Sequence, residues 1–198
     1  NGGGLSGMSG KDHVAIVKVH GVIADDSDAS ANLIVGGLRK AFEDKHSKAV
    51  IMVINSPGGS PVQSNYVYDE MKRLRKKYPA IPLYAVIGDI GASGAYYIAS
   101  AADKIYASES SLVGSIGVTA AGFGFVETMG KLGVERRNYT SGEHKSFLDP
   151  FSPEKPEERA FWQQVLTKTH EQFIKRVRDG RGDRLKETPD MFTGLIWN

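Results

Sequence analysis

The stretch that decides the fold is KAVIMVINSPGGSP, residues 48–61. After its first lysine, the segment 48–54 is entirely apolar, and a short apolar run without polar alternation is typical of a strand buried on both faces. Asn55-Ser56-Pro57-Gly58-Gly59 ends the run, after which Ser60 can cap a helix that has Pro61 in its first turn. The stretch therefore predicts a strand, a glycine turn and a helix in succession.

The same alternation of strand and helix continues on both sides of this stretch. It predicts a mostly parallel sheet with helices on both faces, which is the α/β class. We expect residues 1–12 to be a flexible leader or cloning remnant and residues 13–198 to be a single domain cut from something longer at both ends. The predicted strands are 13–23, 48–54, 81–87, 104–107, 112–118 and 134–140, and the predicted helices are 31–44, 61–77, 92–102, 126–132 and 154–179, the last ended by Gly180.

The composition excludes several classes of protein. The 25 basic and 23 acidic side chains leave a net charge of only +2, which is too balanced for a protein that binds the nucleic-acid backbone. The absence of cysteine excludes a disulfide framework, a thiolate zinc site, an iron-sulfur cluster and a cysteine nucleophile. No metal site or nucleotide-binding loop is evident, so we expect no cofactor and no nucleic-acid partner.

Two glycine-rich loops, 55–59 and 88–94, follow predicted strands at the edge of the sheet where reactive loops lie. Gly58-Gly59 can turn backbone N–H groups outward, and Ser93 would stand before a helix with the N–H of Gly94 beside it. Together these groups could form an oxyanion hole next to a serine hydroxyl. Taken alone, the glycine pair favours an ordinary turn, and Ser93 favours an ordinary helix cap.

A serine nucleophile needs a base, and none of the five histidines is well placed for this role. The loop 140–147 contains the most suitable candidates, His144 and Lys145. A lysine acts as a base only when it is neutral, which requires removal from water. Without further evidence, Lys145 would be interpreted as a solvated loop charge.

Four motifs, in this order, carry a resemblance to a known family. They are NSPGGS at 55–60, GASGAYYIAS at 91–100, GSIGV at 114–118 and SGEHKS at 141–146. Over residues 14–194 the sequence resembles signal peptide peptidase A and its relative SohB. These are serine-lysine peptidases of the Clp protease and crotonase fold, which is built from ββα repeats.

The resemblance implies a role for each matched residue. Ser93 would be the nucleophile, and Lys145 the general base that later protonates the leaving amine. Gly59 and Gly94 would supply the oxyanion-hole amides. Ser115 would orient the lysine amine, although a satisfied hydroxyl at a strand end explains it equally well. The segment expected to bind substrate side chains contains Leu112, Val113, Gly114, Ile116, Gly117 and Val118.

The function implied is that of a serine endopeptidase that forms an acyl-enzyme and cleaves hydrophobic peptides, such as remnant signal peptides or membrane-associated segments. Relatives imply a homo-oligomer whose active sites are shared between protomers. They also imply attachment to the bacterial cytoplasmic membrane through an N-terminal anchor outside this sequence, with the catalytic domain on the extracytoplasmic side. Alternatives are a crotonase-type acyl-CoA enzyme and a non-catalytic assembly protein of the same fold.

Overall fold

The computed structural model describes residues 10–198, so most of the expected leader at 1–12 lies outside the described residues. The described chain forms two compact units. The first runs to Gly117 and resumes at Phe173, and the second spans Val118–Gln172. The expectation of a single catalytic domain over 13–198 stays a prediction.

The first unit is built on one mostly parallel sheet, which confirms the α/β class. The strand order is β1-β2-β3-β5-β6, and β4 also pairs with β3. All pairs are parallel except the antiparallel pair of β5 and β6. The strands are β1 (His13–His20), β2 (Ser47–Ser56), β3 (Leu83–Ala92), β4 (Lys104–Ala107), β5 (Leu112–Gly114) and β6 (Ile196–Trp197).

Strand β3 pairs with two different strands along its length. Its first half, from Tyr84 to Ile87, pairs with β4, and its last three residues, from Ile90 to Ala92, pair with β5. The change of partner occurs around Gly88 and Asp89. It directs the end of β3 towards β5, and Ser93 follows immediately.

Helices α1 and α3 pack on the sheet, and α2 packs against both of them. Ser60 caps α2 by accepting a hydrogen bond from the N–H of Gln63, with Pro61 in the first turn, as the sequence predicts. The helices are α1 (Ala31–Glu43), α2 (Pro61–Lys77), α3 (Gly94–Ser100), α4 (Val126–Leu132) and α5 (Pro156–Arg181), followed by a 3₁₀ turn at Gly182–Arg184.

The core of the first unit lies between this helix layer and one face of the sheet. Alternate strand residues such as Val19, Met52 and Ala85 are fully buried there. Ile16 and Val53, on the opposite face, are exposed. Of the two helix layers expected from the sequence, residues 10–117 therefore show one.

Four predicted strands are wrong in whole or in part. The strand predicted over 81–87 is β3, which continues to Ala92, so most of the loop predicted over 88–94 is strand. Residues 134–140 form neither helix nor strand. The strand predicted over 112–118 ends at Gly114, where the backbone leaves the extended region because Gly114 has φ 91° and Ser115 has φ 50°. The first strand is also shorter than predicted, since it ends at His20, although Ile23 forms an isolated bridge to Gly59.

Two helix boundaries also differ from the sequence prediction. Helix α3 begins at Gly94 rather than Ala92 and ends at Ser100. Helix α5 continues through Gly180 to Arg181, so Gly180 is not its stop. A Cβ atom on Gly180 would lie 2.4 Å from the carbonyl oxygen of Ser100, so this glycine permits close packing of α5 on the end of α3. Among the helices of residues 10–198, none is long and apolar enough to cross a lipid bilayer.

Candidate active site

Ser93 stands between the end of β3 and the start of α3 in a strained conformation. Its backbone has φ 52° and ψ −125°, which L-residues rarely adopt. Two hydrogen bonds hold it there, because its N–H donates to the carbonyl of Gly114 at 2.8 Å and its carbonyl accepts from the N–H of Tyr97 at 2.9 Å. The side chain makes no capping hydrogen bond, so the interpretation of Ser93 as an ordinary helix cap is wrong.

The glycine pair after β2 lies directly against Ser93. Gly58 has φ 97°, and its carbonyl accepts a hydrogen bond from the N–H of Ile23 at 2.9 Å. A Cβ atom on Gly58 would lie 2.6 Å from the nitrogen of Gly94 and 2.8 Å from the Cβ of Ser93. Only glycine allows this approach, and the two loops singled out in the sequence are therefore neighbours.

The two amides expected to bind an oxyanion lie at this contact. A Cβ atom on Gly94 would be 3.3 Å from the nitrogen of Gly59. Gly94 is the first residue of α3, where an N–H has no acceptor within the helix. Among the loop and turn hydrogen bonds of residues 10–198, none is donated by Gly59 or Gly94. Both N–H groups can thus donate to a ligand beside Ser93.

Ser115 follows β5 and also has a positive φ, 50°. Its N–H donates to the carbonyl of Leu195 at 2.7 Å, and its carbonyl accepts from the N–H of Gly117 at 3.0 Å. These bonds fix the backbone and leave the side chain half-buried. The role of its hydroxyl in orienting a lysine stays a prediction.

The segment expected to bind substrate differs in accessibility from residue to residue. Leu112 is exposed and Val113 half-buried, so both can be reached from solvent. Ile116 belongs to the buried core, where any effect on a bound peptide would be indirect. Gly114 is buried, and Gly117 and Val118 are half-buried.

Lys145 belongs to the second unit, whereas Ser93 belongs to the first. It lies in a series of turns, where its N–H donates to the carbonyl of Gly142 at 3.1 Å. Its side chain is exposed. The two residues expected to form the dyad are therefore positioned by separate parts of the chain.

Glu158 stabilises the loop that follows Lys145. The sequence patterns did not identify this residue. Its carboxylate accepts hydrogen bonds from the N–H of Leu148 and the amine of Lys155, both at 3.2 Å. The bond from Leu148 is the main reason that the pKa of Glu158 is lowered. Nearby, the ring of Phe147 packs edge-on against Trp162, with centroids 6.0 Å apart. The sequence signal that could have identified Glu158 is an acidic residue in the first turn of a predicted helix.

Two family models match this sequence. Residues 75–198 match the one described as Peptidase family S49, and residues 14–112 match the one described as Clp protease. The chain belongs to peptidase family S49. The Clp protease match agrees with the mostly parallel fold of this S49 chain.

Several curated proteins are similar to the S49 chain. A protein of Brucella melitensis named Na(+)/H(+) antiporter NhaA is 43% identical over 93% of the chain. The putative signal peptide peptidase SppA of Enterococcus faecium is 32% identical over 96% of it, and protease 4 of Haemophilus influenzae is 31% identical over 93%. The chain spans 26%, 57% and 30% of the lengths of these proteins, respectively, so most of the Brucella protein lies outside the matched segment.

Proposed function

We propose that this S49 chain carries the catalytic residues of a serine endopeptidase that works through an acyl-enzyme. The observation that supports this function best is the strained Ser93, which stands beside the N–H groups of Gly59 and Gly94. Nucleophilic attack on a carbonyl requires a hydroxyl that is free to attack and N–H groups that are free to bind the oxyanion. The Ser93 side chain makes no capping hydrogen bond, and the N–H groups of Gly59 and Gly94 donate no loop or turn hydrogen bond among residues 10–198.

The proposed reaction has two halves. Ser93 Oγ attacks the peptide carbonyl and passes its proton to the amine of Lys145, while the oxyanion accepts hydrogen bonds from Gly59 and Gly94. The C–N bond then breaks, and the leaving amine takes the proton back from Lys145. Water, deprotonated by Lys145, attacks the ester, and Ser93 is released with its proton restored. Each oxyanion donor is worth about 3–4 kcal/mol in reactions of this type.

The base role requires that Lys145 be covered in the active protein, because only a neutral amine accepts a proton. We infer that a neighbouring copy of the chain provides this cover and that each active site is shared between copies. Within residues 118–172 the only buried residue is Glu158. Large apolar side chains are exposed there instead, among them Phe123, Leu132 and Tyr139. A segment without an apolar core is expected to bury its surface against a partner.

The substrates proposed are hydrophobic peptides, such as remnant signal peptides and membrane-associated segments. The support is the name of the Enterococcus relative, a putative signal peptide peptidase. The accessible Leu112 and Val113 beside the Ser93 loop are suited to an apolar substrate side chain. We further propose that the whole protein is attached to the bacterial cytoplasmic membrane and that its catalytic part faces the extracytoplasmic side.

The test is hydrolysis of a fluorogenic hydrophobic peptide by the full-length protein and its variants. Ser93→Ala and Lys145→Ala are each expected to lower kcat by about 10³-fold or more, because either change removes a group that acts in the transition state. Lys131→Ala is the matched control, since Lys131 is another exposed lysine of the second unit, and it should leave kcat unchanged.

Specific results would contradict this proposal. Near-normal turnover by Lys145→Ala at neutral pH would exclude Lys145 as the base. Absence of a fluorophosphonate adduct on Ser93 in the assembled full-length protein would favour a non-catalytic scaffold. Stoichiometric binding of acyl-CoA without peptide hydrolysis would favour a crotonase-type enzyme.

A further inference from the structure

Ser64, in the first turns of α2, lies in the core against Gly94, one of the two residues of the proposed oxyanion hole. It is fully buried, and its hydroxyl donates to the carbonyl of Ser60 at 2.9 Å. A Cβ atom on Gly94 would lie 2.4 Å from this hydroxyl oxygen. The Ser64 hydroxyl therefore occupies the space that a side chain at position 94 would need.

The hydroxyl contacts the chain next to both amides. Its hydrogen bond holds the carbonyl of Ser60, the residue that follows Gly59, and its oxygen faces Gly94. We propose that Ser64 is a positioning residue that sets the spacing between the N–H of Gly59 and the N–H of Gly94. This inference rests on the proposed function, because the spacing matters only if both amides bind the same oxyanion.

The size of the Ser64 side chain is what fits this role. A serine inside a helix that bonds to the carbonyl four residues earlier brings no gain in helix stability. Its place is explained by the contact with Gly94, since alanine would leave the glycine unsupported and a larger side chain would push it outward. The hydroxyl of Tyr97 also donates to Asn65 at 2.9 Å, so α2 and α3 stay joined when Ser64 changes.

Ser100 offers a matched control in the same core. It is also fully buried, and its hydroxyl donates to a carbonyl of its own helix, that of Tyr97, at 2.7 Å. Ser100 lies at the far end of α3, away from Gly94. Replacing either serine removes one buried hydrogen bond, but only Ser64 faces the oxyanion hole.

The experiment measures kcat and KM for hydrophobic peptide hydrolysis by full-length Ser64→Ala, Ser64→Cys and Ser100→Ala. We expect both Ser64 variants to lower kcat about tenfold with KM within about twofold, because the underfilled and the overfilled site each misplace a donor that acts in the transition state. Ser100→Ala should leave kcat and KM within about twofold. If Ser64→Ala does not fold, Ser64→Cys decides alone.

Normal kcat in Ser64→Cys, or an equal loss in the Ser64→Ala and Ser100→Ala variants, would overturn the proposal. Hydrogen–deuterium exchange without substrate gives a second readout. Exchange of peptides that cover 57–60 and 93–96 should be faster in the Ser64 variants than in Ser100→Ala. If the unaltered protein hydrolyses no peptide, the proposed function fails. Hydrogen–deuterium exchange alone then tests whether Ser64 positions the two amides, and unchanged exchange in the Ser64 variants would overturn that role.

Discussion

Ser93 and Gly58 are in contact, and both have backbone conformations that L side chains rarely adopt. Ser93 has φ 52° and Gly58 has φ 97°. A conformation of this kind costs about 1–3 kcal/mol at a non-glycine residue and persists only when its surroundings fix it. Here two backbone hydrogen bonds fix these conformations: the N–H of Ser93 donates to the carbonyl of Gly114, and the N–H of Ile23 donates to the carbonyl of Gly58. At the scale of single residues, the site therefore depends on strain that the surrounding sheet maintains.

Gly58→Ala tests this dependence. The new methyl group would lie 2.6 Å from the nitrogen of Gly94 and would force the two loops apart. We expect kcat for peptide hydrolysis to fall by about 100-fold or more. The free energy of unfolding should fall by about 1–3 kcal/mol, because alanine must also adopt a positive φ. Enzyme kinetics and urea denaturation measure the two effects.

The control for this change is Gly36→Ala in α1. A Cβ atom there would meet no atom within 4 Å, so the helix should gain about 0.5–1 kcal/mol while kcat stays the same. A Gly58→Ala variant with unchanged kcat would show that the contact between the two loops does not position the donors.

The residues of the candidate site differ in how far the sequence could reveal them. Ser93, Gly59 and Gly94 belong to loops whose glycine content marks them, and the structure brings these loops together. Ser64 carries no such mark, because one serine in a helix fits many explanations. Its contact with Gly94 exists only after α2 and α3 have packed, and no local pattern encodes that packing.

At the scale of elements, a buried carboxylate joins α1 to α2. The side chain of Glu70 on α2 is 8% exposed and accepts hydrogen bonds from Arg39 on α1 at 2.7 Å and from Arg73 at 2.6 Å. The hydrogen bond from Arg73 is the main cause that lowers the pKa of Glu70 to about 2, although burial opposes the shift. Because α2 begins next to Gly59, this ion pair helps to hold the layer that carries the site.

The lowered pKa of Glu70 predicts a defined pH dependence of stability. Its folded-state pKa lies below the ordinary 4.5, so its contribution is complete above pH 4.5 and is lost as pH falls towards 2. Glu70→Gln should lower the free energy of unfolding by about 1–2 kcal/mol at pH 7, since the two arginines are half-exposed. The difference from the unaltered protein should shrink between pH 4.5 and 2 in denaturant titrations.

Glu109→Gln is the control for this measurement, because Glu109 is exposed and forms no ion pair among residues 10–198. It should match the unaltered protein at each pH. A constant deficit of Glu70→Gln down to pH 2 would mean that the loss comes from packing rather than from charge.

Glycine stop signals predicted some helix ends from sequence and failed at others, since Gly180 lies inside α5. Helix α4 ends where predicted because Gly133 adopts the left-handed conformation, with φ 67°, that terminates helices. The strand predicted over 134–140 has suitable residues but is exposed and pairs with no strand of residues 10–198. Strand pairing is a property of the assembled sheet, so residue type alone could not decide it.

At the scale of the whole molecule, the proposed nucleophile and the proposed base belong to different units of the chain. Ser93 lies in the unit with the sheet and core, whereas Lys145 lies in a unit with one buried residue, Glu158. The chain also spans only 26–57% of the three relatives described. A second copy that covers the exposed unit would supply both the missing contacts and a dry environment for the amine.

Mixing two inactive proteins tests whether the site is shared between copies. Full-length Ser93→Ala and Lys145→Ala are each expected to be inactive, but together they contain an intact serine and an intact lysine. If each site takes its serine from one copy and its lysine from a neighbour, random assembly at equal amounts should restore about a quarter of the normal activity. The double variant Ser93→Ala/Lys145→Ala, mixed with unaltered protein, controls for simple dilution. No recovery in mixed assemblies, with mixing verified by mass spectrometry, would place serine and lysine of each site in the same copy.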